Sequence, residues 1–108
     1  MKEETLSFLG LLRKGGNLII GKAVEGALKK SALIIVAADA GEAVKKSIVD
    51  KASYYQKKVL LIGKKEELGN ALGYPEISLL AILHPKAAKK VLLLEGLDRR
   101  KEQYEEKQ

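Results

Sequence analysis

Apolar and polar residues fall in blocks along the chain, and the repeat length changes from block to block. From Glu3 to Lys14, Leu6, Leu9 and Leu12 recur with Phe8 and Leu11 beside them. That spacing is a helical stripe, and Gly15-Gly16 ends it. Asn17 to Ile20 is a short apolar run and reads as a strand; Gly21 opens a second helix to about Lys30. Ala32 to Ala37 is continuously apolar and β-branched, the pattern of a strand covered on both faces. Asp39 and Gly41 mark a turn before a third helix from about Glu42 to Tyr55. On that helix Val44, Ile48, Ala52 and Tyr55 are expected inward, with Lys45, Lys46, Asp50 and Lys51 left to solvent. Val59 to Ile62 reads as another short buried strand. A helix over Lys64 to Leu72 follows, with Leu68, Ala71 and Leu72 inward and Gly73 and Pro75 as its stop. Ile77 to Leu83 is the last strand, and Pro85 suits the first position of a final helix carrying Ala88, Val91 and Leu92. Strands alternating with helices predict an α/β fold whose sheet is covered on both sides.

The chain has 108 residues, enough for one domain. Its 46% apolar and 31% charged residues are ordinary for a packed core. The division expected is a domain over 1–97 and a polar tail over 98–108. The tail holds four basic and four acidic residues, so the net charge of +6 belongs to residues 1–97. A basic folded part beside a neutral tail points to a polyanionic partner. Without cysteine, disulfides and thiolate metal sites are excluded. Met1-Lys2-Glu3-Glu4 does not have the form of a secretory leader, and the longest apolar runs fall far short of a membrane span. A cytoplasmic protein with no membrane partner is expected.

Candidate chemistry is sparse. His84 is the single histidine, so a histidine-based metal site or a catalytic triad lacks partners. Beside Pro85 it reads as a structural residue at a helix start. Serines 7, 31, 47, 53 and 78 lack a Gly-x-Ser-x-Gly frame. The pairs Glu3-Glu4, Glu66-Glu67 and Glu105-Glu106 read as helix-surface charges. Gly15, Gly16 and Gly21 fit neither a dinucleotide nor a Walker loop. No enzyme activity, metal or cofactor is therefore expected. Gly21 nevertheless stands where a strand gives way to a helix, a place where backbone N–H groups and the helix dipole can hold a phosphate, and Lys22 adds a full charge there. Arg13, Lys14, Lys29 and Lys30 cluster in sequence around the same segment; Lys57-Lys58 follows the third helix. Low aromatic content argues against a base-stacking sheet, leaving loops and helix ends on a shaped RNA.

Several strings, in order, resemble the ribosomal protein L-seven-Ae/L-thirty-e family, and most closely its bacterial YlxQ-like branch. Leu9-Gly10-Leu11-Leu12-Arg13-Lys14-Gly15-Gly16-Asn17-Leu18 is similar to that branch's opening. Ile34-Ile35-Val36-Ala37-Ala38-Asp39-Ala40 is similar to its apolar strand followed by Ala-x-Asp-Ala, Asp50-Lys51-Ala52-Ser53-Tyr54-Tyr55 to its Asp-Lys-Cys-x-Tyr-Tyr, and Leu68-Gly69-Asn70-Ala71-Leu72-Gly73 to its helix end. The resemblance covers roughly residues 5–95. It implies a three-layer α/β/α sandwich around a four-stranded mixed sheet. It also implies binding to kink-turns, RNA bends built on tandem sheared G·A pairs. The segments it implicates are Gly21, Lys22, Ala23 and Val24; Ala38; and Pro75–Leu80, with Ser78 and Leu79 within it. Ala23 and Val24 stand where the family has Asn-Glu, and Ala38 where it has a polar residue. Two side-chain contacts that would read guanine edges are thus missing, and weaker or less selective RNA binding is expected. The expected function is binding of structured RNA, ribosomal or other non-coding, by a monomeric ribosome-associated protein that also contacts ribosomal proteins. The alternative is a protein-interaction module that keeps the fold without kink-turn recognition; an enzyme ranks third.

Overall fold

The structure, a computed structural model, describes residues 1–97; the expected polar tail, 98–108, lies outside the described residues. In chain order the elements are α1 (Glu3–Lys14), β1 (Leu18–Ile20), a 3-10 helix (Gly21–Lys30), β2 (Leu33–Val36), α2 (Glu42–Tyr54), β3 (Val59–Leu61), α3 (Lys65–Leu72), β4 (Leu79–Ile82) and α4 (Pro85–Leu94).

The helix ends follow local chemistry. α1 has Glu3 and Glu4 in its first turn and Arg13 and Lys14 in its last, each sign opposing the helix dipole. Glu95 closes its start, accepting hydrogen bonds from the Lys2 N–H (3.0 Å) and the Thr5 hydroxyl. It ends in a paired reversal: the Asn17 N–H donates to Leu12 O (2.9 Å) and the Gly16 N–H to Arg13 O (3.1 Å). α4 begins at Pro85, and the ring of His84 caps it by accepting from the Lys86 N–H at 3.2 Å.

The second helix departs from expectation in kind, being 3-10 rather than α throughout. Ten residues at roughly 2.0 Å rise cover about 20 Å, a distance for which an α-helix would need about 13. The tighter winding lets a short segment cross from the end of β1 to the start of β2.

The sheet order is β1-β4-β2-β3. β4 pairs antiparallel with both β1 and β2, and β2 pairs parallel with β3, so the sheet is mixed. α1 packs on α3 and α4, and α2 packs on the 3-10 helix, which itself lies on β1 and β4. These two helical groups form the outer layers of an α/β/α sandwich. The four residues of β2 are all fully enclosed, as their unbroken apolar run requires.

Three expectations change. β4 starts at Leu79, not Ile77, because the Ile77 N–H is drawn to Lys65 O of α3 (3.0 Å). β3 is an edge strand rather than a buried one. With a neighbour on one side alone, its Leu61 keeps 51% of its surface exposed. On α2, Ile48 and Ala52 reach the core, but Val44 in the first turn and Tyr55, just past the helix end, are exposed.

Gly69 of α3 marks the tightest approach. A Cβ there would lie 2.6 Å from Glu76 Cα and 2.6 Å from Tyr74 O. The segment after α3 therefore runs back directly against the helix and delivers Ser78 to the start of β4.

Candidate nucleic-acid interface

Strand direction decides which loops meet. β1, β2 and β3 run the same way and β4 runs against them, so the ends of the first three lie beside the start of the fourth. Ile20 is opposite Leu80, Val36 is opposite Leu79, and Val36 also faces Leu61. Hydrogen bonds tie these ends together. The Ala37 N–H donates to Ser78 O (2.8 Å) and the Ala38 N–H to Gly63 O (2.8 Å). The Lys65 N–H donates to Asp39 Oδ1 (2.8 Å), which puts a carboxylate at the positive end of α3.

Five residues singled out from the sequence thus come together at one end of the sheet: Gly21, Lys22, Ala38, Ser78 and Leu79, with Ala23 following on the 3-10 helix. Gly21 has φ +74°, a left-handed conformation that costs a residue with a Cβ about 1–2 kcal/mol. An added Cβ there would meet nothing within 4 Å, so backbone angle rather than space selects glycine. Lys22 and Ala23 are exposed and Ser78 and Leu79 half-buried. Ala38 is exposed but offers only a methyl group. Val24 is different: it is fully enclosed, so its side chain is part of the core and cannot touch a ligand. It lies with Ala27 and Leu28 on the face of the 3-10 helix that packs on the sheet, against the expectation that it lies on the binding surface.

Arg13, Lys14, Lys29 and Lys30 do not join this group. Arg13 and Lys14 precede β1 and Lys29 and Lys30 precede β2, so both pairs stand at the opposite end of the sheet. Arg13 is held over the Tyr74 ring, 5.2 Å from its centroid. Lys57 and Lys58, just before β3, share that far end.

Sequence reasoning missed three residues at the Gly21 end. Asp39 bonds 26 positions ahead to Lys65, and no local pattern signals such a contact. Lys64 and Lys65 arrive there because β3 runs parallel to β2. Lys65 is drawn toward Glu76 at 3.8 Å.

Little else at the surface suggests bond-making chemistry. Among the described residues, no group of three or more His, Asp or Glu side chains could hold a metal ion. Every buried side-chain nitrogen or oxygen described has a hydrogen-bond partner.

No protein-family model matches the chain. The chain is 30% identical over 77 residues to the RNA-binding protein YlxQ of Enterococcus faecium, an alignment covering 68% of this chain and 75% of that one. Among solved structures it is similar to a protein of unknown function from Bacillus halodurans, with TM-score 0.80 and 30% identity over 86% of this chain and 97% of that one. It also shares a fold with the Giardia lamblia 15.5kD RNA binding protein, at TM-score 0.68 and 20% identity, over 90% and 92% of the two chains. Together with the motif order and the observed topology, this likeness places the chain in the ribosomal protein L-seven-Ae/L-thirty-e family, in its bacterial YlxQ-like branch.

Proposed function

We propose that this protein binds structured RNA, without catalysis, through the sheet end formed by Gly21, Lys22, Ala23, Ala38, Ser78 and Leu79. The observation that carries the proposal is convergence. Three segments far apart in the chain meet at one edge through strand register and the Ala37–Ser78 and Ala38–Gly63 hydrogen bonds, and they are the segments that the family resemblance implicates. Lys22 and the first turn of the 3-10 helix supply phosphate contacts, while Ser78 and Leu79 form a half-apolar ledge for an unstacked base. The names of the Enterococcus and Giardia proteins support RNA as the ligand class.

The finer reading is a kink-turn in ribosomal or other non-coding RNA, bound in the cytoplasm by a monomer that works on or near the ribosome. The test is a titration against a kink-turn RNA and a control with its G·A pairs replaced, at two salt concentrations. G·A-dependent binding, weaker or less selective than that of a relative carrying the Asn-Glu pair, is expected. Equal, salt-sensitive binding to both would leave a general RNA binder. The methyl groups of Ala23 and Ala38, where guanine-reading groups are expected, favour the second reading, a protein-interaction module; absence of binding to either RNA would establish it over the first.

A further inference from the structure

The strand-start end of the sheet, opposite Gly21, collects the segments before β1, β2 and β3 and the one after β4. They are stitched side by side. The Leu83 N–H donates to Asn17 O (3.0 Å), the Ala32 N–H to Ile82 O (2.7 Å) and the Ile34 N–H to Lys58 O (3.0 Å). The segments are 13–17, 29–32, 55–58 and 83–86. They carry Arg13, Lys14, Lys29, Lys30, Lys57 and Lys58, with Lys86 as the seventh, of the 16 basic residues in 1–97, and none of the ten acidic residues there. The loops at the Gly21 end, by contrast, mix Lys22, Lys64 and Lys65 with Asp39 and Glu76.

A chance scatter of solubilising lysines would bring acids with it. A role confined to neutralising helix ends is also too small. α1, the 3-10 helix and α2 all finish at this end, but each dipole amounts to about half a negative charge, well short of seven cations. No ion pair among the described residues engages any of the seven. α4 starts here as well, adding the positive end of its dipole.

We infer that this rim is a second nucleic-acid site, separate from the Gly21 end, that grips the phosphate backbone of an RNA duplex without regard to sequence. Four strands about 4.8 Å apart make it roughly 14 Å wide. A strand of an RNA duplex offers a phosphate roughly every 3 Å of its axis, so the rim spans about four or five of them. Asn17, Tyr55, Gln56 and His84 stand in the same segments, but the rim's charge comes from lysines and one arginine, which meet phosphates rather than base edges, and this makes it chiefly a backbone contact. The 3-10 helix holds Lys22 and Lys30 about 16 Å apart along its axis, so one RNA helix cannot lay the same phosphates on both ends. A bent or branched RNA can occupy both, and this inference rests on the proposed RNA-binding role.

The test uses the full 108-residue protein with Lys29, Lys30, Lys57 and Lys58 all changed to Glu. A second version carries Gln at the four positions, which removes the charge without setting acids at helix ends. The probes are an uninterrupted 20-base-pair RNA duplex, a kink-turn RNA and vesicles of anionic phospholipid. The wild type is expected to bind the duplex, and both variants to lose that binding while circular dichroism stays native. On the kink-turn RNA, the slope of log affinity against log salt should fall by about 3, so that the variants lose about 60-fold less affinity than wild type between 50 and 200 mM salt. Preference for intact G·A pairs should stay as it was. Unchanged slope and duplex affinity in both variants would overturn the rim, while kink-turn binding that Lys22→Glu weakens would still uphold the proposed function. Duplex binding lost in both variants, with no kink-turn preference in the wild type, would keep the rim and overturn kink-turn recognition. Wild-type binding to the vesicles but to neither RNA would overturn both.

Discussion

Replacing Gly69 with alanine tests the packing that delivers Ser78 and Leu79 to the interface. The new Cβ would sit 2.6 Å from Glu76 Cα and Tyr74 O and 2.8 Å from Glu76 N. All three are backbone atoms. They are held in place because the Tyr74 N–H donates to Gly69 O at 2.8 Å and the Ile77 N–H to Lys65 O at 3.0 Å. Comfortable carbon contacts begin near 3.5 Å, so the 74–76 segment must retreat by roughly 0.9 Å. Overpacking costs about 1–3 kcal/mol, and the upper end applies because no rotamer change relieves a backbone clash. Removing a glycine from a helix returns about 1 kcal/mol. The net loss is about 2 kcal/mol, which lowers Tm by roughly 8–16 °C in a domain of this size. Gly10→Ala is the control. Gly10 is also inside a helix, but its added Cβ would lie 3.7 Å from Ala71 O, an ordinary contact, so it should gain up to about 1 kcal/mol. Thermal and urea melts followed by circular dichroism separate the two. Gly69→Ala melting at or above wild type would refute the close packing of 74–76 on α3, whatever Gly10→Ala does.

Lys22→Glu should weaken binding to kink-turn and control RNA alike and lower the salt slope by about 1, read from titrations at several salt concentrations; unchanged affinity removes Lys22 from the interface. Ala23→Asn adds an amide to an exposed position and should raise the preference for intact G·A pairs by roughly 5-fold, about 1 kcal/mol; flat selectivity would mean Ala23 does not face the bases. The companion change Val24→Glu should instead unfold the chain, because it drives a carboxylate into a fully enclosed site at a cost of several kcal/mol, visible as loss of the cooperative melt. Asp39→Ala removes the acceptor for the Lys65 N–H and should cost about 1 kcal/mol in urea unfolding; an unmoved midpoint would show that this bond contributes nothing net.

The sequence by itself determined the succession of elements, because periodicity, glycine stops and the Pro85 helix start are local signals. α1 came out over the residues expected, and β2 lay within its predicted run, as did the final helix from Pro85. Motif order also pointed to the family without any coordinates. Tertiary structure decided the rest. β3 became an edge strand because its pairing depends on where β2 and β4 go, and Val44 and Tyr55 were exposed because α2 meets the core through Ile48 and Ala52 but not at its two ends. Residues 21–30 wound as a 3-10 helix packed on β1 and β4, and its sheet-facing side buried Val24 where a side-chain contact was expected. Above all, residues that look like one basic cluster in sequence, Arg13 to Lys30, were divided between two ends of the sheet. Neighbours in the chain can be separated by a strand's or helix's length, while Gly21, Ala38 and Ser78 meet through hydrogen-bonded register, a long-range relation that no local pattern encodes.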